Sequence, residues 1–454
     1  MKSLISAALA SLTLASCTVG PDYEQPSPDL SATYKNTGLS QPAPAGNWWV
    51  AFKDAKLNTL LGAAEKNNPD ARAALARLDQ ARAVLGIRRS DLLPSLDANI
   101  LARRSGDSQN DSFSFGTYNR FESSLNLDYE IDFWGRVRRS VHQQKALTQA
   151  SAADYQTALL SLRAEVARDY LTLRHLDEEM AQLKGTISLR QENEKLVSAR
   201  LNEGDATPID QARAQSQTET VRAELHRLQQ RRDELENALA VLTGTNPGVF
   251  RLATATPPRT PHIPAGVPGD LLRRRPDIAA SERRLAAASE AIGVTIGNYL
   301  PRVTLTAGAG LASLESSDLF NKESRLWNIG PSVSLPVITA GRRARDRERA
   351  EAAYREALEN HRLSVLNAVR EVENALSGIK NLDRALAAQE KSAAAAREAS
   401  RLVRLRYDNG LVSFFEVIDA ERQTLAEERA LVQTRSARQL VTVQLIQALG
   451  GSWK

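Results

Sequence analysis

The chain of 454 residues repeats itself, and that repeat limits its possible folds more than any other feature. Asn68-Pro69-Asp70 returns as Arg275-Pro276-Asp277, Leu93-Pro94-Ser95 as Leu300-Pro301-Arg302, and Gly135-Arg136 as Gly341-Arg342. Gly204 pairs with Gly410 and Gly244 with Gly450, so the five offsets are 207, 207, 206, 206 and 206. Landmarks that hold register within one residue over some 175 positions define a duplicated unit. A linker at 245–268, rich in Pro and Gly, separates a first copy at 69–244 from a second at 269–454.

Both copies carry the same succession of patterns. An Ala/Arg-rich helical stretch runs from Asp70 to Ser90, and after Pro94 the sequence alternates, with Leu96, Ala98, Ile100 and Ala102 on one face. A polar loop, Ser105–Asn119, leads to a clearer strand in which Phe121, Leu125, Leu127, Tyr129, Ile131 and Phe133 alternate with polar residues. The predicted strands are at about 95–104 and 120–133 in the first copy, and 302–312 and 326–337 in the second. Their length suits a tilted crossing of a bilayer. Trp327, at the start of a strand, is expected at a membrane interface, whereas Trp48-Trp49 is expected in a core. The loops Ser105–Asn119 and Ser313–Arg325 exceed a tight turn and are expected to face the cell exterior.

Beyond each hairpin lies a very long helix. From Arg138 to Asn202 there is no proline and a single glycine, Gly185. Seven-residue spacing picks out Leu159, Val166, Leu173, Met180, Ile187 and Leu201, broken at Glu194. A companion series, Leu162, Leu176, Leu183 and Val197, is broken at Asp169 and Arg190. The second copy repeats the first series from Val365 to Tyr407. Sustained heptads of this kind predict coiled-coil helices at about 138–203 and 342–409, each on the order of 100 Å long. Gly204 or Gly410 then turns the chain into a return helix, at about 208–242 or 413–449.

The N-terminus has the pattern of a targeting segment. Met1-Lys2 is followed by an apolar run, Leu4 to Leu14, too short to span a bilayer, and then by Leu14-Ala15-Ser16-Cys17. This resembles a bacterial lipobox, with 1–16 a signal peptide, Cys17 the acylated mature N-terminus, and 17–68 a lipidated N-terminal segment. Cys17 is the only cysteine, which excludes a disulfide framework and a cysteine-based metal site. Lys and Arg number 59 against 54 Asp and Glu, interspersed along the chain, so nucleic-acid binding has no compositional support.

Four amphipathic strands cannot close a barrel, and an open edge in lipid leaves backbone groups unpaired at several kcal/mol each. Two copies would give eight strands with a filled interior, and three would give twelve with room for a lumen. A soluble sheet with one wet face satisfies the same alternation. A lipidated, secreted chain fits the outer membrane better.

The residues then point to a family. Cys17-Thr18-Val19-Gly20-Pro21-Asp22-Tyr23 with Pro26, Trp48-Trp49 with Phe52 and Leu57, and Asp270-Leu271-Leu272-Arg273-Arg274-Arg275-Pro276-Asp277-Ile278 are all characteristic. So are Ile292-Gly293-Val294, Leu300-Pro301, Arg406-Tyr407-Asp408-Asn409-Gly410 and Val417-Ile418-Asp419-Ala420. The chain resembles the TolC-like outer-membrane efflux proteins, in the lipoprotein branch that serves tripartite resistance-nodulation-division (RND) pumps. The resemblance implies a mainly α fold with a small transmembrane β part, and a homotrimer whose twelve-stranded β-barrel continues into a periplasmic α-helical barrel. It implies as partners a periplasmic adaptor protein, an inner-membrane RND-type pump and outer-membrane lipid, and it implies no cofactor.

A tunnel of this kind must close at its periplasmic tip when no pump is docked. Six residues past each tip glycine stands a carboxylate, Asp210 or Glu416, and Asp419 follows Glu416 on the same helical face. The resemblance implies that Glu416, Asp419 and Tyr407 form the entrance constriction. Val412 stands where the prototype has an arginine, which weakens any ionic lock there. The Arg273–Arg275 run is expected to bond carboxylates or helix C-termini near the repeat junction. The five histidines (His142, His175, His226, His262 and His361) show no metal-ligand spacing, and no phosphate loop or Gly-x-Ser-x-Gly occurs, so an enzyme is not expected. The remaining rival is a lipid-anchored periplasmic coiled-coil scaffold without a pore.

Overall fold

A computed structural model of the chain describes residues 18–36, 47–108, 110 and 116–451. Cys17 and the expected signal peptide lie outside the described residues. The elements run α1 (Ala55–Asn67), α2 (Pro69–Ser90), β1 (Ser95–Gly106), β2 (Thr117–Ile131), α3 (Arg136–Glu203) and α4 (Pro208–Leu242). They continue with α5 (Leu271–Arg274), α6 (Pro276–Gly297), β3 (Arg302–Ser313), β4 (Arg325–Ser334), α7 (Arg342–Asp408) and α8 (Phe414–Ala448). The duplication shows in the lengths: α3 and α7 have 68 and 67 residues, and α4 and α8 have 35 each. Among the described residues no helix is long and apolar enough to cross a membrane.

The chain forms two compact units. The first gathers the N-terminal residues through Ser27 with Arg77–Ala152 and Ala280–Arg362. It holds one antiparallel sheet in the order β1-β2-β3-β4. Register aligns Ala98 with Leu125, Leu125 with Ala309, and Ala309 with Trp327, while the next row aligns Leu96, Leu127, Ala307 and Ile329. One face is therefore apolar across all four strands. The opposite face aligns Asp97, Asn126, Gly308 and Asn328. Residues of the apolar face are open to the surroundings, with Ile100 87 % and Trp327 78 % exposed. β1 and β4 each have one unpaired edge within the sheet.

Strand ends differ from the periodicity for local reasons. β2 stops at Ile131 rather than near 133, because Asp132 leaves the strand to cap α3. Its carboxylate accepts from the backbone N–H of Val137 at 3.0 Å and of Arg138 at 2.9 Å. Helix α3 accordingly begins at Arg136, where sequence spacing places it near 138. β4 ends at Ser334 rather than near 337, short of Pro336, which has no N–H to give. Pro331 is tolerated inside β4 because that strand is an edge. The N-terminal segment is held in this unit by Arg139, buried, which bonds Glu290 at 3.0 Å and Asp22 at 3.1 Å.

The second unit comprises Pro28–Ala76, Ala153–Ala279 and Leu363–Lys454. Its main core packs Trp48, Trp49, Phe52 and Leu61 against Val166 and Tyr170. The two tryptophans meet edge to face with ring centroids 5.6 Å apart. Asp54 caps α1 by accepting from the Leu57 N–H at 2.9 Å, and its other oxygen accepts from the Tyr170 hydroxyl at 2.8 Å.

The two copies close on themselves in equivalent ways. Asn68 donates to the Leu242 carbonyl at 3.0 Å, and its counterpart Arg275 donates to the Ala448 carbonyl at 2.8 Å. Arg275 also bonds Asp277 and Glu371, each at 2.6 Å. With Arg273 bonding Asp270 at 2.9 Å, the arginine run thus holds a helix C-terminus and three carboxylates. Gly244 and Gly450 lie in the left-handed region at φ 67° and 87°. A Cβ there would meet the Asn67 carbonyl oxygen at 2.5 Å or that of Arg274 at 2.3 Å.

The Pro-rich linker is fixed to the helices by buried charge. Arg174 donates to the Ala253 carbonyl at 2.7 Å, and Arg232 donates to the Leu252 carbonyl at 2.6 Å. Asp177 accepts from both guanidinium groups and from the Ala255 N–H at 3.2 Å, and Glu236 accepts from the Leu252 N–H.

Two of the charged residues that interrupt the heptads also lie inward. Burial, reinforced by the like charge of Glu165, raises the pKa of Asp169 from its ordinary 3.8 to about 6. The folded chain therefore holds this proton more tightly than the unfolded one. Stability falls as pH rises from about 4 to about 6, and above that range the ionised carboxylate is a standing cost. Asp169→Asn is expected to raise the thermal unfolding midpoint at pH 7.5 and to leave it nearly unchanged at pH 4, as read by circular dichroism across the series.

Candidate functional site

The tips of the long helices end in duplicated turns. Gly204 and Gly410 adopt φ 85° and 75°, a conformation that suits glycine and reverses the chain. In the first copy the Gly204 N–H donates to Leu201 at 3.1 Å and the Asp205 N–H to Arg200 at 2.8 Å. In the second, the Gly410 N–H donates to Tyr407 and the Leu411 N–H to Arg406, both at 2.9 Å. These are Schellman closures, and they satisfy the last carbonyls of each long helix.

The copies diverge immediately afterwards. Thr207 caps α4, and Asp210 closes a capping box by accepting from the Thr207 N–H at 3.1 Å and its hydroxyl at 2.7 Å. Ser413, the equivalent residue before α8, makes no side-chain cap bond. Asp210 is thereby engaged by the helix start. Its counterpart Glu416 is exposed, as is Asp419 one turn on, and neither side chain forms an ion pair or hydrogen bond among the described residues.

Tyr407 turns inward. It is 9 % exposed and packs with Val197, Ala214, Phe414, Val417 and Ile418. Its ring lies 5.5 Å from that of Phe414, and the Arg200 guanidinium sits 4.7 Å from its centroid. Tyr407 therefore braces the turn within the protomer. Val412 packs partly against the same cluster, so the position is filled by an apolar contact in place of an ionic one.

Farther along the helices polar contacts join all four of them. Glu421 accepts from Asn193 at 3.1 Å and from Arg404 at 3.5 Å. Burial raises its pKa, and Arg404 opposes that shift. Arg429 bridges Glu179 at 2.6 Å and Glu224 at 2.8 Å. His175 donates from Nε2 to the Gln439 side-chain oxygen at 2.8 Å, while Gln439 donates to the Pro258 carbonyl at 2.7 Å. Burial lowers the His175 pKa, so it serves as a neutral core residue.

Duplicated long helices with return helices are joined in sequence to an amphipathic sheet with open edges, a pattern repeated in each copy. The profile of the family described as Outer membrane efflux protein matches residues 60–245 and again residues 267–451, one match per repeat. The chain belongs to that family. Outer membrane protein OprJ of Pseudomonas aeruginosa is 31 % identical over 467 aligned residues, covering 99 % of this chain and 96 % of OprJ. The outer-membrane channel OprN superposes with a TM-score of 0.89 at 30 % identity, covering 96 % of this chain and all of the other. The open state of the Neisseria gonorrhoeae MtrE outer membrane channel superposes with a TM-score of 0.85 at 28 % identity, covering 96 % and 99 %. The chain is thus an outer-membrane efflux protein, in a family of channels rather than enzymes.

Proposed function

We propose that three copies of this chain assemble into a twelve-stranded barrel that serves as the exit duct of a tripartite efflux pump. The observation that carries this reading is the register of the sheet, which gathers apolar side chains on one face across all four strands and leaves two edges open. In lipid such edges must pair, and neighbouring copies supply the partners. The long helices continue as a periplasmic tunnel whose entrance lies at the Gly204 and Gly410 turns. An adaptor protein and an inner-membrane RND-type pump dock there, and exposed Leu411, Phe415 and Ile209 offer apolar surface for that contact. Transport through the duct is passive.

Planar-bilayer recording on protein purified from outer membranes tests this reading. Discrete conductance steps from a heat-modifiable trimer are expected. A lipid-anchored scaffold would give no steps, and that result would overturn the proposal. Acylation at Cys17 is tested separately: Cys17→Ser is expected to abolish incorporation of labelled fatty acid, and labelling that persists would count against the lipobox.

A further inference from the structure

Between α3, α4 and α8, within the second unit, lies a cavity of about 380 Å³. Four guanidinium groups line it, from Arg190, Arg227, Arg422 and Arg429, against two carboxylates, Glu224 and Asp419. The pairing is uneven. Arg227 and Arg429 both bond Glu224, at 2.8 Å each, and Arg429 also holds Glu179 at 2.6 Å. Arg190 is 5 % exposed and forms no ion pair. Its Nη1 donates to the Gln217 backbone carbonyl at 2.7 Å and side-chain oxygen at 3.2 Å, and no described residue engages its other donors. Glu421, whose field reaches Arg190, is already held by Asn193 and Arg404. Arg422, exposed at the cavity mouth, is likewise unpaired among the described residues.

The wall therefore carries more guanidinium groups than carboxylates, and among the described residues its two unpaired guanidiniums are Arg190 and Arg422. Burial lowers the Arg190 pKa, with the like charge of Arg422 adding to the effect. Planar guanidinium forks match two-oxygen anions. Gln217, Thr220 and Gln423 add neutral hydrogen-bonding groups to the same wall. We propose that this cavity binds a small oxyanion of phosphate or carboxylate type, with Arg190 as the buried anchor and Arg422 as the arm that closes over it. Asp419, at the same cavity, weakens binding by repulsion. The site is independent of whether the assembly conducts.

The test uses the full-length protein in detergent, titrated calorimetrically with pyrophosphate and with citrate at constant ionic strength in chloride. Saturable binding of one anion per protomer is expected. Arg190→Gln and Arg422→Gln should each weaken it at least tenfold, and Asp419→Asn should strengthen it several-fold. Arg422 is exposed, so its variant remains informative even where Arg190→Gln fails to fold. Comparison of the two probes separates phosphate from carboxylate preference. Heats that never saturate, or an affinity unchanged in both Arg422→Gln and Asp419→Asn, would overturn the site.

Discussion

Arg232→Ala is expected to destabilise the folded chain by about 3–5 kcal/mol, the cost of removing one partner from a buried ion-pair network. Asp177 and Glu236 both depend on this guanidinium, at 2.7 and 3.3 Å, and it also donates to the Leu252 carbonyl. Its loss leaves Glu236 without a guanidinium partner, Asp177 with Arg174 alone, and one linker carbonyl without its donor. Urea unfolding followed by circular dichroism should show the drop, and limited proteolysis should cut within 253–267 well before the helices are attacked. Arg227→Ala is the control. That side chain is 72 % exposed and pairs at the surface, so its removal should change stability by no more than about 0.5 kcal/mol. Equal effects from the two variants would show that the linker is not held by this network.

Glu416→Ala combined with Asp419→Ala is expected to abolish block of the channel by multivalent cations. In a trimer these two positions bring six carboxylates toward one axis, where like charge concentrates and attracts cations. Hexamminecobalt added from the side of the helix tips should block wild-type conductance, and the double variant should shift the blocking concentration at least tenfold. Tyr407→Ala acts differently. It removes the ring that Phe414 and Arg200 clasp, loosens the turn, and should raise resting conductance without altering the block. Block that survives in the double variant would move the constriction elsewhere.

Much of this architecture is legible in the sequence because it depends on periodicity. Heptads from Leu159 to Val197 mark residues that are buried, and alternation from Phe121 to Ile131 marks a strand. The burial of Tyr407 is legible too, since it ends the heptad series that begins at Val365. Asp210 carries a similar signal in Thr207-x-x-Asp210, the spacing of a capping box. The linker clamp is not legible. Arg232 and Glu236 have the spacing of a helical ion pair, but Asp177 lies 55 residues from Arg232, and nothing on either helix announces that these charges will meet over the linker. Arg190 is visible only as a break in a heptad, and the cavity that explains its burial needs three helices to form.

The sheet carries a consequence for how the chain is made. Each hairpin is local, but the seam between β2 and β3 joins Ile131 to Val303, 303 − 131 = 172 residues apart. Loops of that length close slowly, and partly formed sheets with bare edges aggregate. The first hairpin therefore exists for a time with both edges unclaimed while the second copy is still emerging. Throughout that interval β1 and β2 both offer unpaired backbone to any other chain that meets them.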